Sequence, residues 1–365
     1  MFDRRLLIHF DWVLFVLVLS LVGVGVLGVY SATYEENQQL SSLAMRQMSW
    51  AGLGFVGMVM AFAIDYREIE RLGYLFYGIT LVFLLLVPIV GSFGGGARRW
   101  ISFGVFSLQP SELAKVALIV ALSHHLHYLC PPQGYSLRDL ISPGILVAIP
   151  GALVLAEPNL GTATILGLVA MTVIFAAGIR TRSLAQLAMA GGGLLPLLWS
   201  HMKPYQKQRI LSFLNPQDDP LGSGYHMIQS KITIGSGMIW GKGFLQGTQS
   251  QLDFLPEKHT DFIFAVLAEE WGFVGMCVLF ALYSALLARL LVIAWRARDR
   301  FGSLVAVGCA AVIFWQVLIN VGMNLGVLPV VGVPLPLLSY GGSSLLTIMI
   351  ALGLALNVST RRFLF

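Results

Sequence analysis

WVLFVLVLSLVGVGVLGVY, from Trp12 to Tyr30, contains no charged residue. A helix needs about 20 apolar residues to cross the hydrocarbon core of a bilayer, and this stretch meets that length. It follows Arg4 and Arg5 and is longer than a signal-peptide core, so it predicts an uncleaved first membrane span.

Comparable runs recur to the end of the chain. Cutting at polar and Gly/Pro-rich breaks predicts spans near 12–32, 44–64, 71–91, 111–129, 142–156, 161–178, 184–202, 262–294, 303–325 and 343–359. Of the 365 residues, 57% are hydrophobic and 11% charged, against roughly 25% charged for a soluble domain. With a mean hydropathy of +0.79, a soluble globular protein is excluded. A transmembrane barrel would show short alternating segments, and these runs are continuous. The sequence therefore predicts an all-α polytopic integral membrane protein, a single domain over 1–365 with about ten transmembrane helices.

Charge gives the orientation. An even number of spans puts both termini on one side, where Arg4, Arg5, Arg67, Arg71, Arg138, Arg180, Arg182, Arg296, Arg298, Arg300, Arg361 and Arg362 all fall. The positive-inside rule makes that side the cytoplasm. The longest polar connection, 203–261 between spans 7 and 8, is then extracytoplasmic. Its middle, YHMIQSKITIGSGMIWGKG, reads as an interfacial or re-entrant segment, with Tyr225, Ile228 and Ile232 on one helical face and Gln229, Ser230 and Lys231 elsewhere on the surface.

Ionisable residues inside spans are costly unless paired or facing a wet cavity, roughly 2.5 to 3.5 kcal/mol each at a helix centre. Glu112 and Lys115, three apart after Pro110, share a helix face and form a candidate charge pair. Glu157, Glu269 and Glu270 are further candidates. In FLPEKHTDFIFAVLAEEWG, from Phe254, Thr260 is the expected cap of the eighth span, with Asp261 in its first turn beside Glu257, Lys258 and His259. Arg46, Arg98, Arg99, Lys115, Lys203, Lys207, Arg209, Lys231, Lys242 and Lys258 supply positive charge on the outer side, suited to a polyanionic headgroup or to anionic lipid. The segment GVLPVVGVPLPLLSYGGSS, from Gly326, predicts a non-helical cavity wall offering Ser339, Tyr340, Ser343 and Ser344.

Other motifs fail. GSGMIWGKG lacks the glycines of a dinucleotide fingerprint and the Ser or Thr of a P-loop. His124, His125 and His127 sit at a cytoplasmic span end, where headgroup contact is the simpler reading. Cys130, Cys277 and Cys309 have no paired spacing. No internal repeat of the transporter kind is visible.

Several blocks in order resemble the SEDS family (shape, elongation, division, sporulation): GARRWI from Gly96, LQPSELAK from Leu108, EPNLGTA from Glu157, DPLGSGYHMIQSKITIGSG from Asp219, GKGFLQGTQSQLDFLPEKHTDFIFAVLAEEWG from Gly241 and PLPLLSYGGSS from Pro334. The short N-terminus and the PEKHTDF wording look more like the elongation branch than the division branch. His226 and Met238 depart from the family pattern, where Gln and Gly are common.

The resemblance implies a peptidoglycan glycosyltransferase of the bacterial cytoplasmic (inner) membrane. It would polymerise lipid II into glycan strands for lateral wall elongation and cell shape, within an elongasome containing a class B penicillin-binding protein and MreC/MreD-type proteins. It implies Asp261 as the essential extracytoplasmic aspartate. On this reading Asp261 is the general base, and Arg99, Lys231 and Lys242, with Arg46 or a divalent cation (Mg or Mn), stabilise the departing pyrophosphate. Arg98, Gln229, Ser230, Glu257, His259, Thr260, Ser339, Tyr340, Ser343 and Ser344 line the substrate path, and Glu112 with Lys115 shape the wall. No nucleotide, organic cofactor or nucleic acid is expected. A lipid II flippase and a non-catalytic scaffold for the penicillin-binding protein are the alternatives.

Overall fold

In the computed structural model, residues 9–34, 41–94, 97–102, 104, 106–131, 133–202, 204–219, 222–251, 255 and 257–362 are described. Arg4, Arg5 and Lys203 lie outside them. Each of the ten expected segments is helical: α1 (Trp12–Ala32), α2 (Ser42–Ala63), α4 (Gly73–Val90), α5 (Pro110–Tyr128), α6 (Ile141–Ala156), α7 (Leu160–Gly178), α8 (Thr181–His201), α12 (Ile263–Arg296), α13 (Arg300–Asn324) and α14 (Gly342–Arg361). A short α3 (Tyr66–Arg71) joins α2 to α4. Among the described residues six helices, α1, α4, α7, α12, α13 and α14, are long and apolar enough by length and composition to cross a membrane. Helices suit that medium because every interior backbone donor is satisfied within the segment.

The bundle has a centre and a rim. In their most apolar windows α13 and α14 are 78% and 83% buried, whereas α4 is 28% buried and turns most of its apolar surface outward. Along α5, Glu112, Lys115 and the stretch from Val116 to Ser123 are all buried. Glu112 and Lys115 therefore fall on a helix stretch enclosed by protein. Two helix starts, those of α1 and α7, are fixed by side chains: Asp11 accepts from the Leu14 amide at 3.1 Å and pairs with Arg289 at 2.8 Å, and Asn159 accepts from the Thr162 amide at 3.3 Å.

Two features escape the sequence pattern. Between α4 and α5 the chain forms antiparallel strands β1 (Ser92–Gly94), β2 (Ala97–Ser102) and β3 (Ser107–Leu108), with Ile101 opposite Leu108. The strands are too short to show an alternating pattern. The long loop is also more ordered than expected, with α9 (Pro204–Leu214), a 3₁₀ turn (Pro216–Asp218), α10 (Ser223–Ser236) and α11 (Thr248–Gln251).

The face assignment on α10 needs correction. Met227, Ser230 and Thr233 are buried, while Ile228 and Ile232 are 37% and 48% exposed. Close approach to α12 and α13 selects the small and polar face of the helix.

A break in α12 seats this arm. Gly272 adopts φ 65° and ψ −167°, and a β-carbon there would collide with the Gly241 nitrogen. The amides of Phe273 and Val274 donate instead to the carbonyls of Met238 and Ile239 at 2.9 and 3.1 Å. Met238 has φ 47°, a conformation that explains why glycine suits this position.

Candidate active site

The cavity around Asp261 is built by four separated pieces of chain. Gln208 and Arg209 come from α9, Asp219, Gly222 and His226 from the turn into α10 and that helix itself, Glu257, Asp261 and Phe262 from the approach to α12, and Val330 and Gly332 from the non-helical segment before α14. They enclose a volume of about 400 Å³. Asp261 is half-buried in its wall.

Thr260 does not cap α12. The helix begins at Ile263, and the Thr260 hydroxyl donates to the Glu257 carboxylate at 3.0 Å and lies 3.2 Å from its carbonyl. Asp261 thus precedes the helix rather than occupying its first turn. Glu257 has φ 51°, so a tight turn returns residues 257–261 onto the bundle and presents both carboxylates to one cavity. The Asp261 backbone is held from α13: the side-chain amides of Asn320 and Asn324 donate to its carbonyl at 2.9 and 3.1 Å.

Burial pushes the Asp261 carboxyl up to about 6, with the nearby Glu257 charge adding to the rise and Arg209 and Arg99 opposing it. Burial also lowers His226, whose ring stacks on Phe262 at 6.0 Å, and His259, whose ring lies 5.7 Å from Tyr340. The cavity thus holds a carboxylate with a proton affinity close to neutral pH, the imidazole of His226 biased neutral and the guanidinium of Arg209, with His259 two residues before Asp261 in the adjoining turn. That set can take a proton from a hydroxyl while a cation faces an anionic leaving group.

The remaining expected residues divide by position. Arg99 caps the carbonyls of Glu157 and Pro158 at 3.1 and 2.5 Å, close enough to influence Asp261. Tyr340 and His259 are adjacent, the Tyr340 amide donating to the His259 carbonyl at 2.9 Å. Glu112 and Lys115 pair at 2.7 Å within the bundle.

Others are engaged away from the cavity. Lys242 pairs with buried Glu269 at 2.7 Å, and Ser230 is buried and donates to the Asn324 carbonyl at 2.9 Å. Gln229 donates to the Tyr225 hydroxyl at 3.4 Å. Ser339 accepts from the Leu335 amide at 2.7 Å, and Ser343 from the Gln109 amide at 3.0 Å. Ser344 is buried in α14. Arg46, Arg98 and Lys231 are exposed, with Arg98 donating to the Pro88 carbonyl at 3.2 Å and Lys231 lying over Gly326. Sequence reading missed Gln208, Asp219, Gly222, Phe262, Val330 and Gly332 as cavity residues, noted His226 only as a departure from the family pattern, and took Arg209 only as one outer cation among many. Their separation along the chain left no local signal.

Among the described residues, no three His, Cys, Asp or Glu side chains converge to hold a metal ion. A cation shared with substrate phosphates would need only one or two carboxylates, which Asp219, Glu257 and Asp261 in the cavity could offer, and no step is assigned to one. His125 is bound by Tyr74 and Ser142, each at 2.8 Å, and His124 and His127 lie 3.9 and 3.8 Å from Glu70. Cys130, Cys277 and Cys309 are all free.

A bundle of apolar helices enclosing an acidic, arginine-bearing cavity under a folded outer arm defines a polytopic membrane protein with a built polar site. The model of the cell cycle protein family FtsW/RodA/SpoVE matches residues 11–363, and the chain belongs to that family. It is 41% identical to peptidoglycan glycosyltransferase MrdB of Escherichia coli K12, over 97% of this chain and 95% of that protein. It is 32% identical to peptidoglycan glycosyltransferase RodA of Treponema pallidum, over 97% and 98%. Among solved structures, a chain of a peptidoglycan synthase complex described as coordinating polymerization and crosslinking aligns with TM-score 0.83 and 35% identity over 97% and 98% of the two chains. The rod shape determining protein RodA of Thermus thermophilus aligns with TM-score 0.73 and 32% identity over the same shares.

Proposed function

We propose that this peptidoglycan glycosyltransferase polymerises lipid II at the extracytoplasmic mouth of the bundle, with Asp261 as general base. The observation that carries this reading is Asp261 in an arginine-bearing cavity, its proton affinity raised toward neutrality by burial. The donor sugar is α-linked to a lipid pyrophosphate and the new bond is β-1,4. One displacement therefore inverts the anomeric carbon without a covalent enzyme intermediate. The acceptor 4-hydroxyl oxygen bonds to that carbon, its proton passes to Asp261, and the bond to the pyrophosphate oxygen breaks with both electrons leaving on the phosphate.

Arg209 and Arg99 are the cations best placed to oppose the growing charge on the leaving group. Lys242 is assigned to seating the arm on Glu269. A class B penicillin-binding protein would crosslink the strand, with MreC/MreD-type proteins as neighbours. Both termini would lie in the cytoplasm, consistent with the basic side of the bundle.

The test is polymerisation of labelled lipid II by the purified chain with a class B partner, wild type against Asp261→Asn at equal folded protein and equal complex formation. Long glycan from wild type and none from the variant is the expected result. Equal product from both removes Asp261 as base, and the absence of product from either returns weight to transport or scaffolding.

A further inference from the structure

Gln316, Asn320 and Asn324 form a buried polar stripe at i, i+4 and i+8 on α13, each 1% exposed or less. Carboxamides within a membrane helix are costly unless their donors and acceptors are met, so two of them aimed at one carbonyl form a specific arrangement. The Asn320 amide nitrogen uses both hydrogens, reaching the Asp261 carbonyl at 2.9 Å and the Val333 carbonyl at 2.8 Å. The Asn324 amide nitrogen reaches the same Asp261 carbonyl at 3.1 Å and the Asn320 carbonyl at 2.8 Å. Val333 follows Gly332, which lies against the Asp261 carboxylate, where a β-carbon would sit 3.4 Å from Oδ2. Both side chains therefore pin the backbone of Asp261, and Asn320 also pins the wall its carboxylate faces.

The network extends to the outer arm. Asn324 ends α13, and its main-chain carbonyl, unmet by the helix, accepts the Ser230 hydroxyl at 2.9 Å. Ser230 lies on the buried face of α10, one turn beyond His226, which lines the cavity. From this geometry we infer that Asn320, Asn324 and Ser230 are positioning residues that couple the seating of α10 to the placement of Asp261, so that Asp261 is correctly aimed only while the arm is docked. The inference rests on Asp261 being the base. None of the three residues touches the reacting atoms.

A purely structural role would lower the amount of folded protein and leave the behaviour of the folded fraction unchanged. Positioning instead lowers kcat with little change in KM, because the acceptor still binds while the base is misaimed. Asn320→Ala and Asn324→Ala are compared with the milder Ser230→Ala in the full chain complexed with its class B partner. Kinetics with lipid II are read beside hydrogen exchange of the segment 257–265, which does not depend on activity.

The expected result is a fall in kcat of about tenfold for the Asn variants and about threefold for Ser230→Ala, with KM within about twofold, and faster exchange at 257–265 in all three. Unchanged exchange overturns the coupling, as does a KM rise at constant kcat. Faster exchange with unchanged kcat also overturns it, provided Asp261→Asn is inactive. If Asp261→Asn still polymerises, the general-base reading fails, and the exchange data alone judge whether the backbone is pinned.

Discussion

The ammonium of Lys115 lies 2.7 Å from the Glu112 carboxylate, and their side chains are 1% and 5% exposed. Removing one partner strands the other charge inside the bundle. Lys115→Met or Glu112→Gln alone is expected to destabilise by about 3 to 5 kcal/mol, and the double substitution by clearly less than the sum of the two. Thermal unfolding of the detergent-purified proteins, followed by size-exclusion chromatography after heating, checks the non-additivity.

The pH profile of polymerisation follows from Asp261. A base must be ionised, so kcat is expected to fall as pH drops through about 6, the value to which burial raises this carboxyl from 3.8. The stability sign is opposite to that of a salt-bridged aspartate. Between 3.8 and about 6 the folded state holds a proton that the unfolded state releases, so this group's contribution to stability declines as pH rises through that window. Asp261→Asn is therefore expected to raise the unfolding midpoint at pH 7.5 while abolishing polymerisation. Unfolding midpoints of both proteins at pH 5 and 7.5 provide the comparison.

Arg209 has two separable effects. It opposes the rise of the Asp261 carboxyl and faces the cavity. Arg209→Ala is expected to shift the acidic limb of the rate profile to higher pH and to weaken handling of the pyrophosphate, with kcat/KM for lipid II falling about tenfold or more. Steady-state kinetics from pH 5 to 8 read both.

Lys242 gives a contrasting outcome. Glu269 also accepts from the Gln249 and Ser250 amides at 2.9 and 3.0 Å, so the loop stays fastened when the lysine is lost. Lys242→Gln is expected to leave KM for lipid II unchanged, whereas Glu269→Ala releases the arm and increases proteolysis within 236–251. Limited proteolysis beside the kinetic assay distinguishes them.

Gly272 is a steric test of the arm's seat. Its φ of 65° and its proximity to the Gly241 nitrogen leave no room for a β-carbon. Gly272→Ala is expected to unseat the turn at 238–241 and to accelerate hydrogen exchange of the Phe273 and Val274 amides, which bond to that turn.

The helical segments were legible because a bilayer demands long uninterrupted apolar runs, a signal that six of them carry by themselves among the described residues. The Glu112 and Lys115 pair was legible for a similar reason, since a three-residue spacing on one helix brings side chains together without help from the rest of the fold. Asp261 stood out through the likeness of its surrounding block to a known family, its local spacing being no different from an ordinary helix start.

Tertiary structure decided what local spacing leaves open. Lys242 reads as a cation for the pyrophosphate and Ser230 as a surface residue on the substrate path, yet Glu269 and Asn324 claim them once α10 and the following loop fold onto α12 and α13. Arg209, Asp219 and Gly332 join Asp261 only because four distant pieces of chain meet at one mouth. Periodicity and charge cost act over one helix and are written into the sequence. The partner of a polar group is set by which helices pack together, and that is fixed only when the whole bundle closes.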